Sequence, residues 1–233
     1  MHMTWYYLIP LTVIGMIFAL LYPSDGKILY PKDPLSRKKF RVLYKGLASL
    51  AFFVGAILAT VFNMGFYALM ITVSLFLASI GDVFLTIDIL YPKHATVLYI
   101  LGGLAFLGGH VVYLVLFLGM VAFNPWLIFV PLVFAVMPFF FAKKAGNILG
   151  KGTVYLVATY LAVLGLFLAS TLNIFIACPR STTNLVRLIA GVLFCASDFC
   201  LMAANIKRGT NLPMWVAVLY YSAQWLFVYT ILI

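Results

Sequence analysis

Two aspartates stand in stretches that are otherwise almost wholly apolar. Asp82 lies in LASIGDVFLTID, within a run that begins at Phe66, and Asp198 lies in VLFCASDFCLMAAN. A carboxylate inside a membrane span costs about 2.5 to 3.5 kcal/mol on the most lenient scale, so it comes with a partner, a wet cavity or a task. A single such residue can be structural glue; two of them point to chemistry. In a low dielectric one of two neighbouring carboxyls keeps its proton while the other stays ionised. A general acid beside a carboxylate is the arrangement that acts on acetal-like bonds. Other chemistries lack their residues. Zinc needs several His, Cys or carboxylate ligands at set spacing, whereas His110 is the one histidine inside a span and no HExxH pair exists. A GxSxG elbow for nucleophilic catalysis is also missing. The site is therefore expected to need no metal and no cofactor.

The elements that must position these acids are membrane helices. The 233 residues are 66% hydrophobic and 9% charged, with a mean hydropathy of +1.15, which excludes an ordinary soluble domain. The expected fold is all-α, a single transmembrane domain over 1–233 with eight spans. They run roughly Trp5–Tyr22, Val42–Thr60, Phe66–Ile89, Val97–Met120, Pro125–Ala142, Val154–Asn173, Leu185–Ala204 and Pro213–Leu232. The acidic inventory is Asp25, Asp33, Asp82, Asp88 and Asp198 with no Glu, and only Asp82 and Asp198 fall in span interiors. Cys178, Cys195 and Cys200 make no disulfide framework.

The net charge of +10 does not indicate nucleic acid, because the basic residues sit in short loops. All Lys and Arg but Arg180 and Arg187 fall on one side of the spans. That side is cytoplasmic by the positive-inside rule, which puts both termini on the other side. The membrane is expected to be a bacterial inner membrane or, failing that, the endoplasmic reticulum. Both aspartates then lie roughly 10 Å below the cytoplasmic surface, at 1.5 Å per helical residue. SIGDVFL and CASDFCL occupy the third span of each half, compatible with a parallel four-plus-four repeat.

Helical spacing adds polar neighbours. Ser79, Asp82 and Thr86 share a face of span 3, and Cys195, Asp198 and Asn205 share one of span 7. Span 4 carries His110 and Tyr113, span 8 carries Tyr220, Tyr221 and Gln224, and Lys45 opens span 2. Each has a plainer role open to it: His110 as a satisfied interhelical donor, the tyrosines as packing with a polar tip, Lys45 as a snorkelling boundary residue. The pairs Gly102-Gly103 and Gly108-Gly109 suit close helix packing. The expectation is that Asp82 and Asp198 face one cavity within about 10 Å of each other, with His110, Tyr221 and Gln224 in its wall. Asn at either aspartate is expected to lower turnover by orders of magnitude while harming folding little.

SIGDVFL, FLGGHVVY, CASDFCL and LYYSAQW, in this order, resemble the YhhN-type lysoplasmalogenases. The resemblance covers most of the chain, with one departure: Lys45-Gly46 stands where the family commonly has Lys-Pro. It implies hydrolysis of the vinyl ether of lysoplasmalogens to a fatty aldehyde and glycerophosphocholine or glycerophosphoethanolamine, with Asp82 and Asp198 matching the family's acids. Protonation at carbon gives an oxocarbenium ion that water attacks, which suits an acid and a carboxylate. The lysophospholipid would come from the inner leaflet, with its phosphate near Lys45 or Arg41. A proton-coupled small-molecule or lipid transporter is the alternative, since paired membrane acids serve transport too; no helix breaks matched between the halves are read from the sequence to support it.

Overall fold

Among the described residues the chain forms α-helices and single 3₁₀ turns, with no strand. The computed structural model describes residues 2–22, 33–144, 151–206 and 211–233, and their side chains except at 2–5, 140–144, 151–153, 156 and 205–206. Eight helices are described. They are α1 (His2–Leu21), α2 (Pro34–Phe62), α3 (Phe66–Ile87), α4 (Ala95–Leu118), α5 (Phe129–Lys144), α6 (Lys151–Ala177), α7 (Thr182–Ile206) and α8 (Leu212–Tyr229). Five spans among them are long and apolar enough to cross a membrane: Pro34–Phe62, Phe66–Ile87, Pro92–Leu118, Val157–Ala177 and Thr182–Ala204. Large apolar side chains such as Val61, Leu104, Val115 and Val192 stand exposed on these helices, an outer surface suited to lipid and not to water.

The expected boundaries hold to within a few residues, except at α2, which starts eight residues before Val42. Local chemistry explains the extension. Asp33 accepts a hydrogen bond from the Ser36 N–H at 2.7 Å and Pro34 occupies the first turn, both signals that start a helix. That bond holds the exposed Asp33 carboxyl below the usual carboxylate range. The added turns carry Arg37, Lys38, Lys39 and Arg41, so they belong to the interface and not to the hydrocarbon.

Helix packing repeats with a shift of four. The pairs α1–α2, α2–α3 and α3–α4 recur as α5–α6, α6–α7 and α7–α8, and α2–α8 is mirrored by α4–α6. Helices α1 and α5, equivalent under this shift, each carry an interior proline, Pro10 and Pro138. An interior proline removes a helical hydrogen bond, yet both helices run on through their prolines. The halves are not identical in their surroundings: α8 also packs against α1 and α3.

α8 carries part of the site, and Trp225 fixes its position. The indole is 2% exposed and lies against Gly55 of α2, where a Cβ would fall 2.7 Å from the ring. Gly55→Ala is expected to cost roughly 1–3 kcal/mol through overpacking. A melting curve in detergent reads this as a clear fall in Tm; an unchanged Tm would mean that the indole has room to move. At the opposite end of the bundle Arg187 donates from Nε to the Tyr67 hydroxyl at 3.0 Å and stacks on that ring at 4.6 Å. Tyr67 donates in turn to Thr230 at 2.6 Å, so α3, α7 and the end of α8 are tied together far from the acids.

Candidate functional site

The two aspartates line one cavity of about 320 Å³. Its walls come from the last halves of α3 and α7 and the first halves of α2, α4, α6 and α8. These segments meet at one level because successive helices alternate in direction. The cavity therefore occupies one side of the bundle.

Asp82 is 2% exposed and fully engaged. Lys45 Nζ stands 3.1 Å from its Oδ1. Its Oδ2 accepts from the Ser49 hydroxyl at 2.6 Å and from the Tyr220 hydroxyl at 2.9 Å. Tyr221 extends the group, its hydroxyl 3.2 Å from Ser49 Oγ. Three helices, α2, α3 and α8, thus converge on one carboxylate. An ammonium and two hydroxyl donors thus surround this one carboxyl group.

Asp198 has a different setting. Its Oδ2 accepts from the Tyr160 hydroxyl of α6 at 2.6 Å. Among the described residues the Lys45–Asp82 contact is the ion pair, and Asp198 has no cation beside it. The rest of its surroundings is largely apolar, with Leu161, Leu201, Met202 and Val216 in the same wall.

Of the residues singled out from the sequence, Asp82, Asp198, Lys45, Tyr220 and Tyr221 share the cavity. The described candidates Ser79, His110, Tyr113 and Gln224 do not line it. Ser79 donates to the Leu75 and Ser49 carbonyls at 2.9 and 3.3 Å. Its helical stripe partner Thr86 turns back to the Asp82 carbonyl at 2.7 Å, so that stripe satisfies backbone and leaves the cavity to Asp82. His110 is 3% exposed, with Nδ1 2.8 Å from the Phe106 carbonyl. The rings of Tyr160, Phe167 and Phe194 stand edge-on around it. Tyr113 stacks with Phe117 and Phe227 in the core, and Gln224 is fully buried behind Tyr220 and Tyr221. The expectation that His110 and Gln224 line the cavity is therefore corrected: His110 lies among aromatic rings, Gln224 is fully buried, and neither is in the cavity wall. The Asn205 side chain lies outside the described residues, as do those of Trp5, Lys143, Lys144 and Lys151 and the whole of Lys27, Lys32, Lys207 and Arg208.

Ser49 and Tyr160 were not read from the sequence. Ser49 was within reach, since it lies four residues after Lys45 on the same face of α2. Tyr160 carried no signal: it is one of 14 tyrosines, in a helix with no other mark.

The molecule is thus a helical protein with membrane-length spans and one cavity that holds two carboxylates, one ion-paired and one held by a phenol. The chain belongs to the YhhN family, whose model matches residues 40–231 and so takes in both aspartates and every described cavity residue except Tyr22. No curated protein and no solved structure matches it.

Proposed function

We propose that this protein is a lysoplasmalogenase, an ether hydrolase that cleaves the vinyl ether of 1-alkenyl lysophospholipids. It would cross the membrane eight times with both termini on the non-cytoplasmic side. The observation that supports the reading best is the unequal setting of the two aspartates in one apolar cavity. It divides the labour that carbon protonation needs. Asp82, held by Lys45, Ser49 and Tyr220, is the ionised member. Asp198, with a phenol and no cation, is the member that carries a proton.

Asp198 gives its proton to the β-carbon of the vinyl ether, and the adjacent carbon and ether oxygen become an oxocarbenium ion. The negative charges of Asp82 and of the newly ionised Asp198 favour that cation in a low dielectric. Water adds to the cationic carbon and returns a proton to Asp198. The resulting hemiacetal breaks its bond to the glycerol oxygen, which takes up a proton, and a fatty aldehyde leaves. The sum is substrate plus water giving aldehyde plus glycerophospho-alcohol. The phosphate is placed at the Lys45 end, where Lys45 and Arg41 both lie against the Tyr22 ring at 5.4 and 5.6 Å.

Tyr160 orients the acid by holding one oxygen and leaving the other to face the substrate. Tyr160→Phe is expected to lower turnover by about 10- to 10²-fold, in line with the roughly 1.5–3 kcal/mol of a hydrogen bond to a group that is charged as the proton leaves. The effect should lie in kcat more than KM. An unchanged kcat would assign Tyr160 to packing.

The transporter reading retains one observation, the interior prolines Pro10 and Pro138 in equivalent helices. Both acids, however, lie on the unbroken helices α3 and α7. Purified protein in detergent separates the two functions: aldehyde release from a 1-alkenyl lysolipid supports hydrolysis. Proton-driven uptake into sealed vesicles without any release supports transport.

A further inference from the structure

The cavity is not closed on all sides. On α4 its wall is the stripe Tyr99, Ile100, Gly103, Leu104 and Leu107, spaced so that all lie along one face. Tyr99, Ile100 and Leu104 are 51%, 44% and 52% exposed while lining the cavity. Such values mark the rim of an opening, because a residue walled inside a closed cavity is not half exposed. Across from them on α6 stand Val157, Thr159 and Leu161, of which Thr159 is also exposed. The opening thus faces sideways, between the first halves of two spanning helices, and its rim is apolar apart from the Tyr99 and Thr159 hydroxyls.

Gly103 stands in the middle of that stripe. A Cβ built there meets nothing within 4 Å, whereas at the adjacent Gly102 it would fall 2.7 Å from Leu85. Gly102 therefore lets α4 approach α3, and Gly103 leaves room in the cavity. Lys45 and the two acids line the same cavity as this stripe.

We propose that the slot between α4 and α6 is a lateral portal for the hydrocarbon chain of a single-chain amphiphile, and that Gly103 sets its width and thereby the chains it accepts. The proposal rests on the hydrolase reading only for the identity of the amphiphile, a lysophospholipid. A portal open to the bilayer leaves the end of the chain in lipid. Chain cross-section, and not chain length, is then what the protein discriminates.

The test uses the full chain in nanodiscs of phosphatidylcholine and phosphatidylethanolamine. The probe is a 1-O-alkyl lysophosphocholine with a diazirine in its chain; its saturated ether cannot follow the vinyl-ether route. Photolysis is expected to place adducts on residues 99–107 and 157–161. Gly103→Leu should reduce them about tenfold or more, as an added side chain in an apolar pocket does, with an unchanged melting temperature. Gly103→Ala should give a smaller reduction and serves if the Leu variant does not fold. Adducts spread evenly over the lipid-facing surface, or insensitive to both substitutions, would overturn the portal. Portal labelling by a protein that releases no aldehyde from a vinyl-ether lysolipid would uphold the portal and remove the hydrolase reading. Aldehyde release without labelling of α4 or α6 would do the reverse.

Discussion

Asp198→Asn is expected to lower aldehyde release by about 10²- to 10⁴-fold, the usual worth of a positioned general acid, in a protein that folds normally. Asn keeps the shape of the side chain and can still accept from Tyr160, whose hydroxyl is 2.6 Å from Oδ2. It has no acidic proton to give to carbon. Nothing cationic is stranded by the change, because the ion pair among the described residues lies at Asp82 and not at Asp198. Melting temperature should therefore hold or rise while turnover collapses. Near-normal turnover in a folded Asp198→Asn protein would remove Asp198 from the chemistry.

Asp82→Asn should fail in a different way. Its carboxylate is the counter-ion of Lys45, whose side chain is 13% exposed against 3% for Asp82. Removing one member of a buried pair leaves an unpaired charge and typically costs 3–5 kcal/mol; roughly 3 kcal/mol is expected here, since Lys45 keeps some access to solvent. This departs from the sequence expectation that Asn at Asp82 harms folding little. Lys45→Met should be destabilising for the same reason. Lys45→Met combined with Asp82→Leu should recover most of the stability, since replacing a whole buried pair by apolar groups is often neutral. The double variant should nevertheless stay inactive. Thermal denaturation of Lys45→Met, Asp82→Leu and their combination, with Asp82→Asn alongside and turnover measured for each, checks both halves. Additive destabilisation in the double variant would show that the pair is not a unit.

Which parts of this were legible in sequence follows from what determines them. The helices were, because apolar runs of span length are self-declaring, and only the capped, basic start of α2 moved a boundary by more than a few residues. The two acids were, because a charge in such a run has to be explained. Their partners were legible only where a partner shares a helix face with a marked residue, as Ser49 does with Lys45. The Lys45–Asp82 pair itself joins α2 to α3 and depends on how those helices rotate, which no periodicity gives. Tyr160 reaches Asp198 from a neighbouring helix and looks like any other tyrosine in the chain. His110 and Gln224 were placed at the cavity because they are polar; the backbone carbonyl of Phe106 takes up His110 instead, among aromatic rings, and Gln224 is buried outside the cavity wall. The lateral opening had no sequence signal, since Gly103 and Gly102 are the same residue type and differ only in what their missing side chains would meet.

The most direct measurement is the hydrolysis of a pure 1-alkenyl lysolipid by the purified protein in D₂O, with the aldehyde trapped as it forms. The account predicts release slower than in H₂O, with one deuterium on the carbon next to the aldehyde, and release from Asp198→Asn lower by about 10²- to 10⁴-fold. A folded protein that releases no aldehyde, or an aldehyde without deuterium at that carbon, would contradict it.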